Sequence, residues 1–388
     1  MAAVPPGNYQ YEIYLQGLAG TRPELPVAID ELERRAAEEM APEAYAYVAG
    51  GAGLERTVRA NREAFDAWRI VPRMLVDVSE RELGVAVLGT SLPAPVLLAP
   101  VGVLSIVHPE AERAVARAAA SLGLAMVLSN SASTTIEDVA GEMGEAPRWF
   151  QLYWPADREL AASFVRRAEA AGYGAVVVTL DTRLLAWRPR DVAGAYLPFL
   201  RGEGVAIYLS DPVFRAQLQV SPEEDPQAAI GHWAGQFPNP SLTWDDLGFL
   251  RDHTRLPILV KGVLHPDDAR RALDAGVDGI VVSNHGGRQV DGAIGALAAL
   301  PGVVEAVPPE VPVLFDSGVR SGADAVKALA LGARAVLVGR PWVWGLALAG
   351  EEGVRTVLRG LLADLDLTLA LSGHASVADL GAHTLTRA

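Results

Sequence analysis

The sequence predicts an α/β fold: a (β/α)8 TIM barrel with an N-terminal helical cap and a long loop after the fourth strand. Three observations lead there. Eight short apolar, mostly β-branched runs recur along the chain, most of them are followed by a helical pattern rich in Ala, Arg and Glu, and several end in polar, glycine-bearing segments. Continuous apolar strands, rather than alternating ones, belong in a parallel sheet covered on both faces. A doubly wound sheet shares this rhythm. Its dinucleotide-binding form requires G-x-G-x-x-G after an early strand, whereas the first run here leads into Pro100-Val101-Gly102-Val103.

Residues 1–90 precede the repeat. They carry helical patterns over Ile29–Met40 and Pro42–Val48 and are expected to cap one end of a barrel formed by residues 91–388. The strand runs are Pro95–Ala99, Ala125–Ser129, Trp149–Tyr153, Ala175–Thr179, Pro257–Lys261, Gly279–Ser283, Pro312–Asp316 and Ala335–Gly339. The clearest helices are Glu110–Ser121, Arg158–Ala171, Asp267–Ala275 and Ala323–Leu331. Pro109-Glu110 and Pro266-Asp267-Asp268 place proline at N1 and acid in the first turn. Ala171-Gly172-Tyr173 and Ala275-Gly276-Val277 supply C-caps. Residues 189–250, rich in Pro, Gly, Gln and aromatic residues, form an excursion too long for an ordinary connection and are expected to be a lid or an assembly surface.

Composition narrows the function. Half of the 388 residues are apolar, enough for a large core, and the net charge of −14 without a basic cluster argues against nucleic acid as a partner. With no cysteine, disulfides, thiolate metal sites and cysteine nucleophiles are excluded. No H-E-x-x-H, histidine triad or spaced carboxylate set points to a metal, and no nucleophile elbow is present. The N-terminal segment lacks the pattern of a leader, and no run reaches the 18 or so apolar residues of a membrane span, so a cytoplasmic protein is expected.

The chemistry concentrates in Ser283-Asn284-His285-Gly286-Gly287-Arg288-Gln289-Val290-Asp291-Gly292, directly after the sixth strand. Active sites of such barrels lie at strand C-termini. His285 is the candidate base, and Asp181, at the fourth rim, can fix its tautomer. Arg288 and Arg188 suit a carboxylate because each guanidinium is a planar donor fork, and Arg190 is an alternative to Arg188. Lys261 closes the fifth strand, either as a Schiff-base amine of an aldolase-type barrel or as a stabiliser of negative charge on a cofactor ring. Asp316-Ser317-Gly318-Val319-Arg320 and Gly339-Arg340-Pro341 follow the last two strands, the usual phosphate position. Gln151 and Tyr153 share a strand face. Trp149, Trp154, Trp342 and Trp344 are read as packing, and Trp187 as a pocket wall.

These motifs together resemble the FMN-dependent L-2-hydroxy acid oxidising enzymes, which include glycolate oxidase, lactate oxidase, flavocytochrome b2, mandelate dehydrogenase and lactate 2-monooxygenase. The resemblance runs from about residue 30 to residue 370. It implies FMN, a small L-2-hydroxy acid and dioxygen as partners, and a homo-tetramer or homo-octamer. By the same resemblance, Tyr47 joins Arg188 and Arg288 around the substrate carboxylate, Tyr153 stands beside the substrate hydroxyl, and His285 backed by Asp181 is the base. Pro100, Val101 and Gly102 would approach flavin N5. Ser129, Gln151 and Thr179 would contact the ring, Lys261 its N1–C2=O edge and Ser283 the ribityl chain. Gly318, Arg320, Gly339 and Arg340 would cradle the phosphate, and Asp316 would also belong to the cofactor-binding set.

Within the family, the lactate 2-monooxygenase branch is the most similar. Gly102 stands where most members have alanine, a missing methyl near N5 that alters the space for oxygen and substrate. The long insertion, the Trp187-Arg188-Pro189-Arg190-Asp191 run and the opening Tyr11-Glu12-Ile13-Tyr14-Leu15-Gln16-Gly17-Leu18 share that branch's character. The expectation is therefore oxidation of L-lactate with decarboxylation of retained pyruvate to acetate. Release of the 2-oxo acid with H2O2, or use of another electron acceptor, is the alternative. Asn130 and Ser131 sit where members vary, which leaves substrate size open.

Overall fold

The computed structural model describes residues 4–388. Met1–Ala3, on which part of the leader reading rests, lie outside the described residues. Eight parallel strands close into a barrel in sequence order: β1 (Val96–Leu98), β2 (Ala125–Ser129), β3 (Arg148–Tyr153), β4 (Val176–Thr179), β5 (Ile258–Val263), β6 (Gly279–Val282), β7 (Val313–Phe315) and β8 (Ala335–Val338). Each coincides with one of the eight apolar runs. β5 extends two residues past Lys261, with a register irregularity against β6 between Lys261 and Val263.

Strand parity explains the two-layered core. Side chains alternate across a strand. Leu97, Val127, Trp149, Val177, Leu259, Val281, Leu314 and Leu337 pack together inside the barrel. Their immediate neighbours, among them Leu98, Met126, Phe150, Val178, Val260 and Val282, pack outward against the helices. A hairpin of Val85–Val87 and Thr90–Leu92 closes the N-terminal end, where Thr90 Oγ1 accepts the indole N–H of the fully buried Trp149 at 3.0 Å. With the lumen filled from below, the next inward positions fall at the C-terminal mouth. Six of the eight are polar, Ser129, Gln151, Thr179, Lys261, Ser283 and Asp316, and the strands that flank the closure, β1 and β8, supply the small Ala99 and Gly339.

The cap comprises α1 (Tyr9–Leu18), α2 (Ile29–Glu39), α3 (Pro42–Ala49) and α4 (Arg56–Asp66). Pro266 is at N1 of its helix as expected, with His265 Nδ1 accepting the Asp267 N–H at 3.1 Å. Pro109 is not at N1. Its helix begins at Ala111, because the Glu110 N–H is turned toward His108 Nδ1 at 3.2 Å in a preceding turn. Gly172 and Gly276 take positive φ just past their helices, where the Cβ of any other residue would strain the turn. The 189–250 excursion is an assembly of short helices, several opening on Asp-Pro or Arg-Pro, that folds back over the mouth. No helix among the described residues is long and apolar enough to cross a membrane.

Trp149→Ala removes the largest side chain from the barrel interior and should cost about 3–5 kcal/mol of unfolding free energy. Denaturant unfolding compared with the parent protein would read it, and a loss under 1 kcal/mol would show that this layer collapses to fill the hole.

Candidate active site

The mouth holds a cavity with about 1380 Å³ of atom-free space, part of it open to solvent. The loops after the strands supply its polar groups, and the excursion supplies an apolar roof from Leu197, Phe199, Trp233 and Phe237. Phe199 stacks on Trp233 at 4.8 Å between ring centres and meets Tyr47 of the cap edge-on at 6.5 Å.

The turn after β6 is forced by local chemistry. His285, Gly286 and Gly287 all adopt positive φ. Gly287 has no room for a side chain, since a Cβ would lie 2.7 Å from Val58 of α4. Asn284 Oδ1 accepts the Gly287 N–H at 3.1 Å, and its amide exchanges two hydrogen bonds with Asn61 of α4. The Ser317 hydroxyl accepts the N–H groups of Asn284 and Gly286 and donates to Asp316 at 2.7 Å. Four polar residues thus hold a left-handed histidine, which is otherwise a strained conformation.

That strain aims the imidazole. His285 Nδ1 lies 2.9 Å from Asp181 Oδ1, which also accepts the Thr182 hydroxyl at 3.0 Å. The carboxylate therefore fixes the proton on Nδ1 and leaves the Nε2 lone pair toward the Tyr153 hydroxyl, 3.3 Å away. Burial lowers the His285 pKa, while Asp181 works against that shift. Burial alone would raise Asp181, but the charges of His285 and Lys261 and the hydrogen bond from His285 outweigh it and hold the carboxyl below its ordinary value. Burial, with the Asp181 charge, pushes the Tyr153 phenol up, so it stays a neutral donor.

The arginines line the same cavity. Arg188 donates from Nε to the Arg288 carbonyl at 3.0 Å and from Nη2 to Gln289 at 2.8 Å. Arg288 donates from Nη1 to the carbonyls of Tyr47 and Gly50, at 2.5 and 2.8 Å, and its guanidinium lies over the Tyr47 ring at 5.1 Å. Burial, then the Arg188 charge, brings Arg288 down to about 10. Arg340 falls to about 9 through burial and the charges of Arg288 and Arg320. Arg320 is lowered mainly by burial as well. Crowded, desolvated guanidinium groups of this kind are a receptor for anions.

Of the residues singled out from sequence, Tyr47, Tyr153, Arg188, His285 and Arg288 line one cavity together with Pro100, Val101, Gly102, Ser129, Thr179, Lys261, Asp316, Gly318, Arg320, Gly339 and Arg340. Asp181 stands behind His285. Ser283 is buried beneath and accepts from Lys261 Nζ at 2.8 Å. Gln151 is buried too. Its Nε2 donates to Thr179 at 3.0 Å, while Oε1 has no partner. That orphaned acceptor calls for a donor such as the N–H of a heterocycle. Lys261 is also paired with Asp316 at 3.0 Å. An ion-paired ammonium has no lone pair for a Schiff base.

Three expectations change. Trp187 is 70% exposed and does not line the cavity. Arg190 bonds Glu55 at the surface, which leaves Arg188 as the cavity arginine. A Cβ on Gly102 would lie 2.5 Å from the Ser131 carbonyl oxygen, so glycine here admits the loop after β2 and opens no extra room. Thr182, Asn61, Ser317, Phe199 and Trp233 were given no role from the sequence, because their partners lie on other elements, from 31 positions away for Ser317 to 223 for Asn61.

Residues 36–387 match the family described as FMN-dependent dehydrogenase. The chain is 45% identical over 385 residues to the FMN-dependent alpha-hydroxy acid dehydrogenase qulF of Penicillium citrinum, covering 98% of this chain and 96% of that protein. It is 43% identical over 376 residues to an L-lactate oxidase of Lysinibacillus sphaericus, covering 97% and 96%. Among solved structures, a mandelate oxidase superposes with a TM-score of 0.82 at 38% identity, covering 94% of this chain and 98% of the other.

Asp181→Asn should lower the His285 pKa further, since it removes the charge that opposes burial. Titration of the His285 ring by NMR would show the shift, and an upward movement would contradict the arrangement described.

Proposed function

The chain belongs to the FMN-dependent dehydrogenase family, and we propose that it oxidises a small L-2-hydroxy acid, L-lactate foremost, to the 2-oxo acid with dioxygen as electron acceptor. The observation that carries this reading is the shared wall of one cavity. His285, with its proton fixed on Nδ1 by Asp181, faces Tyr153, and Arg188 and Arg288 stand near Tyr47. A base and a carboxylate clamp on one wall are what proton removal from a bound hydroxy acid needs.

The residues also fit FMN. Gln151 Oε1 offers an unpaired acceptor, Lys261 a buried cation, and Arg320 and Arg340 donors for a phosphate near Gly318 and Gly339. When bound, FMN supplies the two-electron chemistry between substrate and oxygen. The protein's own part is to bind, orient and move a proton. Arg188 and Arg288 take the substrate carboxylate, and the neutral Tyr153 donates to an oxygen of the substrate. His285 Nε2 accepts the hydroxyl proton, and the resulting imidazolium is stabilised through Nδ1 by Asp181.

A second reading follows from the roof. Leu197, Phe199, Trp233 and Phe237 cover the cavity, which favours retention of the 2-oxo acid beside the peroxide formed with it. Retained pyruvate and H2O2 would give acetate, CO2 and water. The support for this outcome is the roof and not Gly102.

Incubation with L-lactate in air, with acetate measured against pyruvate plus H2O2, separates the two readings. Absence of flavin bleaching by any L-2-hydroxy acid under anaerobic conditions would refute both. His285→Asn should lower kcat/KM by about 10²–10⁴-fold. Arg288→Leu should raise KM by at least tenfold, as expected when a charge-assisted hydrogen bond worth roughly 1.5–3 kcal/mol is lost. An unchanged KM would remove Arg288 from the clamp.

A further inference from the structure

The roof is tied to the helix after β3 through Ser163 and Arg167, which donate to Asp211, and to Ala156 and Asp157 through Gln236. It meets the loops after β1 and β2 at the short segment Glu203–Ala206. The Ala206 N–H donates to the Ala132 carbonyl at 3.2 Å. Gly204, at positive φ, is packed so closely that a Cβ would lie 2.7 Å from Val103 and 2.8 Å from the Ser131 carbonyl oxygen. Glu203 accepts a hydrogen bond from Ser105, on the loop after β1. Ser105 in turn meets Ser133, on the loop after β2, with 2.7 Å between hydroxyl oxygens.

The polarity of this chain follows from counting protons. The Ser105 N–H already donates to Ser133 Oγ at 3.3 Å. If the Ser133 hydroxyl donates to Ser105 Oγ, the single proton left on Ser105 goes to Glu203, and an ionised carboxylate, which can only accept, completes the set. The base beneath is buried and hydrogen-bonded. Glu112 is fully buried and accepts the Ser133 N–H at 3.0 Å and the Thr134 hydroxyl at 2.9 Å. On its other side Glu203 lines a second, smaller cavity with Glu43, Tyr196 and Arg201. The fastening is therefore anchored on the barrel side and open on the outer side.

We propose that Glu203, acting through Ser105 and Ser133, latches the edge of the roof that carries Leu197 and Phe199 to the loops after β1 and β2, and so sets how long a 2-oxo acid stays in the cavity. Glu203 is a positioning residue, since it does not line the main cavity. The residence half of the proposal rests on the oxidation reading above, and the latch half does not.

Hydrogen exchange of the FMN-loaded protein tests the latch directly. In Glu203→Ala and Ser105→Ala, amides of residues 197–206 should exchange about tenfold faster while the barrel strands keep their protection. Glu203→Gln retains an acceptor without the charge and should fall between the parent and Glu203→Ala. Unchanged exchange at 197–206, or equal acceleration throughout the strands, overturns the latch. Release of oxalate, a non-reacting stand-in for the 2-oxo acid followed through flavin absorbance, should quicken about tenfold in Glu203→Ala if a charge-assisted bond holds the roof. Faster exchange with unchanged oxalate release overturns the residence claim alone. Failure of oxalate to bind the parent protein counts against the carboxylate clamp, and exchange then decides the latch by itself.

Discussion

Two half-buried guanidinium groups, those of Arg288 and Arg340, join the cap to the barrel, and the cavity exists because they do. A helix leaves its last carbonyl groups without intrahelical partners. At the end of α3 those carbonyls are taken by the barrel. Arg288 donates to Tyr47 and Gly50, and Arg340 to Val48 and Gly50 while also reaching the Gly286 carbonyl. Withdrawing two such cations from water without acceptors would be costly. The negative end of the α3 dipole adds to the attraction. One set of contacts thus places Tyr47 at the cavity, holds the turn that carries His285, and concentrates positive charge where an anion is to bind.

The charge is left partly unbalanced. Asp316 answers Lys261, and Asp181 answers His285. Arg288, Arg320 and Arg340 depress one another or are depressed by burial, with backbone carbonyls in place of carboxylates. Backbone acceptors satisfy hydrogen bonds but carry no full charge, so an anionic ligand gains the whole Coulomb term in a site of low effective dielectric. The same logic separates the base from the clamp, because Asp181 is committed to the imidazole and does not compete for the arginines.

Much of this was legible in the chain. Apolar runs marked all eight strands, since a strand buried on both faces must be apolar throughout. Polar residues at the ends of those runs marked the mouth, since filling the lumen with Val127, Trp149, Val177, Leu259 and Val281 leaves only the next inward position to meet the cavity. Asn284, Gln289 and Asp291 lay within the quoted motif, but their tasks were not legible. Asn284 bonds Asn61, Gln289 receives Arg188, and Asp291 accepts the Leu54 and Arg56 N–H groups. Each partner lies on another element, and no local pattern encodes it.

The sequence by itself determined the barrel, the order of its strands and the residue types gathered at its mouth. These follow from periodicity and strand parity, which are local properties. Tertiary structure alone decided the rest: that Trp187 faces outward, that Arg340 holds α3 as well as facing the cavity, and that Glu203 meets Ser105. It also reversed the meaning of Gly102. A missing methyl reads as added space in a sequence, but the Ser131 carbonyl occupies that space in the fold. The physical reason is that volume, charge balance and hydrogen-bond satisfaction belong to neighbours in space, and neighbours are chosen only when the chain closes.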